Sequence, residues 1–142
     1  MKIQIKYHNK NIPKIQKIEQ GDLIDLYAAE TVELKAGEFK LISLGVSMKL
    51  PWGYKAQIYP RSSTYKNWGI TQPNSIGQID SSYCGSNDIW KYPALAHRDT
   101  IIHEGDRICQ FELVKVMQGV EIEEVDKLDD ADRGGFGSTG TR

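Results

Sequence analysis

Apolar and polar side chains alternate with a period of two residues along most of the chain, the pattern of a half-buried β-strand. Over residues 2–7, isoleucine or tyrosine takes every second position, and lysine or glutamine takes the positions between. The same alternation recurs at Val32 and Leu34, and turn-forming residues 35–38 separate it from the next apolar positions. We therefore predict strands at residues 2–7, 32–34, 39–41, 46–50, 56–60, 108–114 and 120–125.

Helical periodicity is weak throughout the sequence. Only residues 62–68 favour a short helical turn, with Ser62 or Ser63 as its N-terminal cap. Many short strands broken by glycine and proline predict an all-β fold, either a barrel or a sandwich.

Composition and charge narrow the function classes. The 142 residues fit one domain, and Lys plus Arg (18) against Asp plus Glu (19) give a net charge of 18 − 19 = −1. This balance excludes the broad basic surface that binds duplex nucleic acid or anionic membranes. The lysine-studded residues 1–18 predict neither a signal peptide nor a membrane span. Cys84 and Cys109 are too few for a disulfide framework, which favours a reduced, cytoplasmic protein.

Two polar clusters suggest chemistry that a β core does not need. Residues 59–63 run from a strand into Ser62 and Ser63, so that hydroxyls, backbone N–H groups and Arg61 can together bind an oxyanion. An ordinary helix cap with a surface arginine explains these residues equally well. Residues 74–85 form a candidate hairpin. In it Asn74 offers the donor and acceptor that read a nucleobase edge, and Asp80 can act as a general base on water, although an aspartate more often caps a turn.

Two further stretches have ordinary explanations when taken alone. Residues 105–110 predict a tight turn into a strand, with Gln110 directed away from the core. Residues 126–132 are acidic, and the glycine-rich residues 133–142 would normally be a frayed terminus. No lysine follows these glycines in P-loop register, yet Phe136 among them could stack on a base as part of a lid. We expect a β core over residues 1–127 and a flexible C-terminal arm over 128–142.

Taken in order, these stretches resemble the five motifs of the homotrimeric dUTPases (deoxyuridine 5′-triphosphate nucleotidohydrolases), and in particular the prophage-type subset of Gram-positive bacteria. The matching residues are 25–29 with 44–46, 60–63 ending at 69–70, 74–85, 105–110 and 134–140. The resemblance implies a β-clip type jelly roll with one short helix, assembled as a trimer whose active sites are shared between subunits and covered by C-terminal arms. It also implies hydrolysis of dUTP to dUMP and pyrophosphate with Mg²⁺, in the cytoplasm of a cell or of a phage's host.

The resemblance assigns roles residue by residue. Asp80 would activate the water that attacks the α-phosphorus, and Tyr83 would exclude a ribose 2′-hydroxyl. Asp25 would support the metal through water, with Mg²⁺ held mainly by the substrate phosphates. The implied substrate-binding residues are Arg61, Ser62, Ser63, Asn74, Gly77, Ile79, Tyr83, Gln110, Arg133, Phe136, Gly137, Ser138 and Thr139.

The sequence departs from the family pattern in the last motif. The family commonly has an arginine two residues farther from the glycines, where this chain has Ala131, so we expect Arg133 to supply that charge from a shifted register. Three alternatives stay open: a dCTP deaminase relative of the same fold, a trimer kept only for structure, and a nucleotide-gated regulatory module that binds a partner protein.

Overall fold

The computed structural model describes all 142 residues as eleven β-strands and one helix. The strands are β1 Gln4–Tyr7, β2 Ile24–Tyr27, β3 Val32–Leu34, β4 Phe39–Ser43, β5 Val46–Lys49, β6 Tyr54–Pro60, β7 Ile70–Thr71, β8 Gly77–Ile79, β9 Lys91–Ala96, β10 Thr100–Ile102 and β11 Arg107–Lys115; the helix is α1 Thr64–Trp68. The all-β architecture with one short helix is therefore confirmed. No helix is long and apolar enough to cross a membrane.

The strands form four antiparallel sheets. The largest has the order β2-β11-β6-β8, a second has the order β4-β9-β7, and β1-β5 and β10-β3 form two-stranded ribbons. In the largest sheet Gln110 lies opposite Asp25 on one side and opposite Tyr59 on the other. Directly opposite residues in neighbouring strands project from the same face. The register therefore fixes which polar residues share a surface.

The core lies between these sheets and contains 22 buried apolar residues. Trp90, just before β9, packs edge to face against Phe111 of β11, with 5.2 Å between ring centroids. Tyr92 is also fully buried, whereas its neighbours Lys91 and Pro93 are not, as the two-residue period requires. These aromatic residues join the second sheet to the largest one.

Some local sequence predictions were wrong. Residues 120–125 do not form a strand, although apolar and acidic side chains alternate over 120–123, because no strand edge of the same chain lies beside them. The last backbone hydrogen bond between the C-terminal segment and the β-sheets joins the Val116 N–H to the Gly53 carbonyl, at 2.9 Å. Residues 74–85 form one strand and a turn rather than a separate hairpin, since β8 pairs only with β6. The division of the chain at residue 127 stays a prediction.

Candidate active site

One groove of about 390 Å³ gathers residues of three sequence clusters. Asp25, Arg61, Ser62 and Gln110 line it together with residues of the segment before β2. The strand register explains why these residues lie together. Asp25 and Gln110 are opposite each other on β2 and β11, and Arg61 directly follows β6, which pairs with the other side of β11. We call this the arginine groove.

The electrostatics of the arginine groove favour an anion. Arg61 Nε lies 3.0 Å from Asp25 Oδ1, and Arg107 Nη1 lies 3.4 Å from Asp25 Oδ2. Two guanidinium groups therefore face one carboxylate, and the Asp25 side chain is only 20 % exposed. Around Asp25 the two guanidinium groups leave one positive charge in excess, although Asp22 also lines the groove, and the guanidinium N–H groups that do not face Asp25 suit the oxygens of a phosphate.

The helix start beside this groove differs from the serine cap expected from the sequence. Ser63 occupies the cap position, but its side chain makes no capping hydrogen bond. Instead the buried hydroxyl of Thr64 accepts a bond from the Arg61 N–H and donates one to the Ile108 carbonyl, both at 2.8 Å. Thr64 thus fastens the arginine-bearing loop to β11. Sequence reasoning missed it because the preceding serines offered the same chemistry.

A second cleft, of about 210 Å³, contains the candidate base. We call it the aspartate cleft; its lining residues are Gln78, Ile79, Asp80, Tyr83, Ile89 and Lys91. Asp80 begins a turn that the Tyr83 N–H closes onto the Asp80 carbonyl at 3.0 Å. The Tyr83 hydroxyl donates to the Ile89 carbonyl at 2.9 Å, which fixes the phenol ring as one wall of the cleft.

The residues that precede this cleft form a tight, exposed turn before β8. The Asn74 carbonyl accepts a bond from the Ile76 N–H at 2.7 Å, and Ser75 has a left-handed φ of 63°. Gly77 packs so closely on β6 that a Cβ would stand 3.1 Å from the Ile58 Cβ. This close approach favours glycine at position 77. Asn74, in the turn before β8, is exposed.

A single chain does not bring the two clefts together. Asp25 and the strand of Asp80 lie on opposite edges of the largest sheet. Three strand spacings of about 4.8 Å, and about four residues of offset along β6, place Asp25 and Asp80 roughly 20 Å apart. No phosphate group can touch both within one subunit.

The residues of the last motif contact neither cleft. Phe136 is fully exposed, with a φ of 51°, and Gly134, Gly137 and Gly140 also adopt positive φ values. The Ser138 N–H bonds to the Gly135 carbonyl at 3.0 Å, so the segment forms a compact turn of its own. Arg133, Gly137 and Thr139 are likewise exposed in the tail.

Comparison with known proteins decides the family. The family model described as dUTPase matches residues 9–140, which is nearly the whole chain. The chain belongs to the dUTPase family. The SPbeta prophage-derived deoxyuridine 5′-triphosphate nucleotidohydrolase YosS of Bacillus subtilis (strain 168) is 58 % identical over 142 residues, covering 100 % of both chains. The enzyme class predicted from the five motifs is thereby confirmed.

Solved structures of phage dUTPases share the fold. The dUTPase of phage phi11 of S. aureus, studied as a variant for its structural Mg(II) ion, superposes with a TM-score of 0.77 at 18 % identity, covering 92 % of this chain and 100 % of that one. A variant of the Staphylococcus bacteriophage 80alpha dUTPase with dUpNHpp gives 0.77 at 21 % identity, covering 99 % of each chain. The predicted dUTPase jelly roll is thus confirmed.

One buried thiol of this dUTPase lies beneath the arginine groove. Burial raises the pKa of Cys109 well above its usual value, and the charge of Asp25 raises it further, against the opposing effect of Arg61. Cys109 is fully buried, whereas Cys84 is exposed. The Cys109 thiol therefore stays neutral and serves as a packing residue rather than a nucleophile.

The acidic residues of this dUTPase do not form a resident metal cage. Nowhere do three or more His, Cys, Asp or Glu side chains come together as a ligand set. Asp25 and Asp22 are the carboxylates that line the arginine groove, and both Asp25 oxygens already face guanidinium groups. The donor set fits an ion that the phosphates carry and that keeps most of its water, as Mg²⁺ does.

Proposed function

We propose that this dUTPase hydrolyses dUTP to dUMP and pyrophosphate by attack of water on the α-phosphorus. The observation that carries the proposal is the presence of two chemically complementary clefts, one with an exposed carboxylate beside a fixed tyrosine ring and one with two guanidinium groups around a carboxylate. A nucleoside triphosphate needs both environments, because its sugar and base are uncharged and its phosphates are strongly anionic.

The aspartate cleft selects the nucleoside. The Tyr83 ring, held by the bond to the Ile89 carbonyl, packs on the deoxyribose and leaves no room for a 2′-hydroxyl. Asn74 and the backbone around Gly77 and Ile79 read the uracil edge at the end of β8. Asp80, exposed at the start of the turn, takes a proton from the attacking water.

The arginine groove holds the phosphates. Arg61 donates N–H groups to phosphate oxygens, Ser62 and Ser63 add hydroxyls, and Gln110 positions a phosphate or the attacking water. Gln110 Nε2 already donates to the Pro60 carbonyl at 3.1 Å, so its amide is oriented beside Arg61. Donors fixed in advance are where a phosphoryl-transfer transition state gains most.

Both clefts serve one substrate only if they come from different subunits. A carboxylate that activates the water and a guanidinium that binds the same triphosphate cannot stand roughly 20 Å apart. We infer a homotrimer in which the aspartate cleft of one subunit faces the arginine groove of another. Each closed trimer then has three equivalent sites.

The C-terminal tail reaches a neighbouring subunit in this assembly. Residues 120–125, which precede the C-terminal arm, consist of apolar and acidic side chains that alternate up to Glu123, and all of them are exposed. The N-terminal segment carries lysines without a carboxylate partner beside an apolar cleft of about 410 Å³ that Ile3, Ile15 and Ile24 help to line; Lys17, at this cleft, donates to backbone carbonyls. Opposite charge around matching apolar surfaces supports docking of the tail on another copy.

At the far end of the tail the glycine-rich turn acts as a lid. Phe136 stacks on the uracil, while Ser138, Thr139 and the backbone of Gly137 contact the terminal phosphates. Arg133 supplies the lid's positive charge. The full exposure of Phe136 and the absence of contacts to either cleft support a segment that orders over substrate.

Asp25 would support the water shell of a Mg²⁺ ion that the substrate phosphates would hold. When bound, the ion neutralises negative charge on the phosphates. Asp25 also orients Arg61 through the 3.0 Å ion pair, so the same carboxylate serves both groups.

A nucleotide-gated regulatory role is the second candidate. The observation favouring it is the fold likeness to the Staphylococcus bacteriophage 80alpha dUTPase. That protein is described as one of the phage dUTPases that control transfer of virulence genes. In that case the lid state would control contact with a partner protein, in the cytoplasm of the host. Capture of one protein from a host lysate with dUpNHpp, and not without nucleotide, would support it.

The test of hydrolysis is pyrophosphate release with Mg²⁺ from dUTP, dCTP, dTTP and UTP. We expect release from dUTP alone, and its loss in Asp80→Asn. Asp99→Asn is the matched control, since Asp99 is exposed and lines neither cleft. Hydrolysis of UTP at a comparable rate, or an active Asp80→Asn variant, would contradict the roles of Tyr83 and Asp80. Ammonia release from dCTP would indicate a deaminase instead.

A further inference from the structure

Lys91 is a cation in the aspartate cleft that none of the five motifs contains. It is the first residue of β9, and its neighbours Trp90 and Tyr92 are fully buried in the core. Its own side chain therefore projects from the opposite face of the strand, where it is exposed and lines the cleft with Asp80 and Tyr83.

Lys91 forms no ion pair within the subunit. No carboxylate lies within 4.0 Å of its ammonium group. The charge of Lys91 contributes to lowering the pKa of Glu30 from a greater distance, but the Glu30 carboxylate is paired with Lys40 at 3.0 Å. Among the residues that line the cleft, Lys91 is the only cation and Asp80 the only carboxylate.

The substrate brings a negative charge to this position. With the deoxyribose against Tyr83, the phosphate on its 5′ carbon leaves the cleft beside Asp80. Arg61 of the same subunit is too distant to bind that phosphate. Ile79, next to Asp80, lies opposite Ala56 at one end of β6, whereas Arg61 follows the other end, five residues and roughly 17 Å farther along the strand. A lysine on the same wall of the cleft as Asp80 can bind that phosphate, because the flexible side chain carries the ammonium group several ångströms from the strand.

We propose that Lys91 is a further substrate-binding residue, whose ammonium group contacts the phosphate next to the deoxyribose. This proposal rests on the proposed function of the cleft. It gives the α-phosphate a cation from the subunit that supplies Asp80, in addition to the guanidinium groups from the neighbouring arginine groove. Because Lys91 is held on a core strand, its charge is present before the lid closes.

The experiment compares Lys91→Met, which keeps the length and removes the charge, with Lys91→Arg, which keeps the charge. Lys115→Met is the matched control, because Lys115 is also exposed and unpaired on a strand but lines neither cleft. Calorimetric titration gives the affinities for deoxyuridine, dUMP and dUpNHpp. These ligands differ only in their phosphate groups.

We expect Lys91→Met to weaken binding of dUMP and dUpNHpp about tenfold, the effect of one charge-assisted hydrogen bond, and to leave deoxyuridine binding unchanged. Lys91→Arg should stay within about threefold of the parent protein. Unchanged dUMP affinity in Lys91→Met, or an equal loss for deoxyuridine, would overturn the proposal. Both results are read against a parent protein that releases pyrophosphate from dUTP; a parent that neither hydrolyses nor binds dUTP would refute the proposed function itself.

Discussion

Replacing Thr64 by valine tests how the arginine groove is built. Valine has nearly the same shape as threonine, so no cavity forms, but the hydroxyl and its two 2.8 Å hydrogen bonds are lost. The Ile108 carbonyl and the Arg61 N–H then lack partners. A buried polar group without a partner costs about 1–3 kcal/mol, and Arg61 is partly exposed, so we expect a loss of about 2–3 kcal/mol in the free energy of unfolding.

The assay is urea denaturation at a fixed protein concentration, since assembly would make the stability depend on concentration. Thr64→Ser is the control, because it keeps the hydroxyl and removes one methyl group, for a cost of about 1 kcal/mol. In Thr64→Val the KM for dUTP should also rise, because the loop that carries Arg61 is released from β11. A valine variant as stable as the parent, or more stable than the serine variant, would refute the role of the Thr64 hydroxyl in fastening this loop to β11.

Three further predictions concern separate parts of the chain. Iodoacetamide should modify one thiol per folded chain, Cys84, and a second, Cys109, only in denaturant, because Cys109 is buried and its pKa is raised; mass spectrometry that finds both labelled equally fast would contradict this. In Glu30, burial raises the pKa, but bonds from the Ser43 N–H and Lys40 outweigh burial and lower it. Its stabilisation is therefore present above the ordinary glutamate pKa and lost as the pH falls through the lowered one. Glu30→Gln should cost about 0.5–1 kcal/mol at pH 7 after screening by solvent, and nothing in acid; a difference that is constant with pH would refute the charge effect. Phe136→Ala should leave the melting temperature unchanged, because the ring is fully exposed, and should weaken dUpNHpp binding about tenfold through lost stacking; equal affinity would remove Phe136 from the lid.

Much of the fold could be predicted because alternation is a local signal. The two-residue period marks residues 2–7 and 108–114 as strands, and those strands are present as β1 and β11. The failure at residues 120–125 has the opposite cause, since alternation indicates a strand only where another edge is available for pairing. A single chain offers those residues no such edge.

The candidate site was less accessible to sequence reasoning. The motif resemblance identified Asp25, Arg61 and Gln110, and the strand register shows why they meet. Thr64 and Lys91 were missed, because their roles depend on which strands lie beside them. Nor could spacing along the sequence show that Asp80 and Asp25 lie at opposite edges of one sheet.

Mixing of inactive variants tests most directly whether the active site is shared. Asp80→Asn and Arg61→Ala trimers are each expected to be inactive with dUTP, and they are unfolded together at equal amounts and refolded. If each site takes Asp80 from one subunit and Arg61 from another, about one site in four regains both residues, and pyrophosphate release returns to about a quarter of the parent rate. Refolded trimers that contain both variants, as mass spectrometry would show, and yet release no pyrophosphate would contradict the shared site.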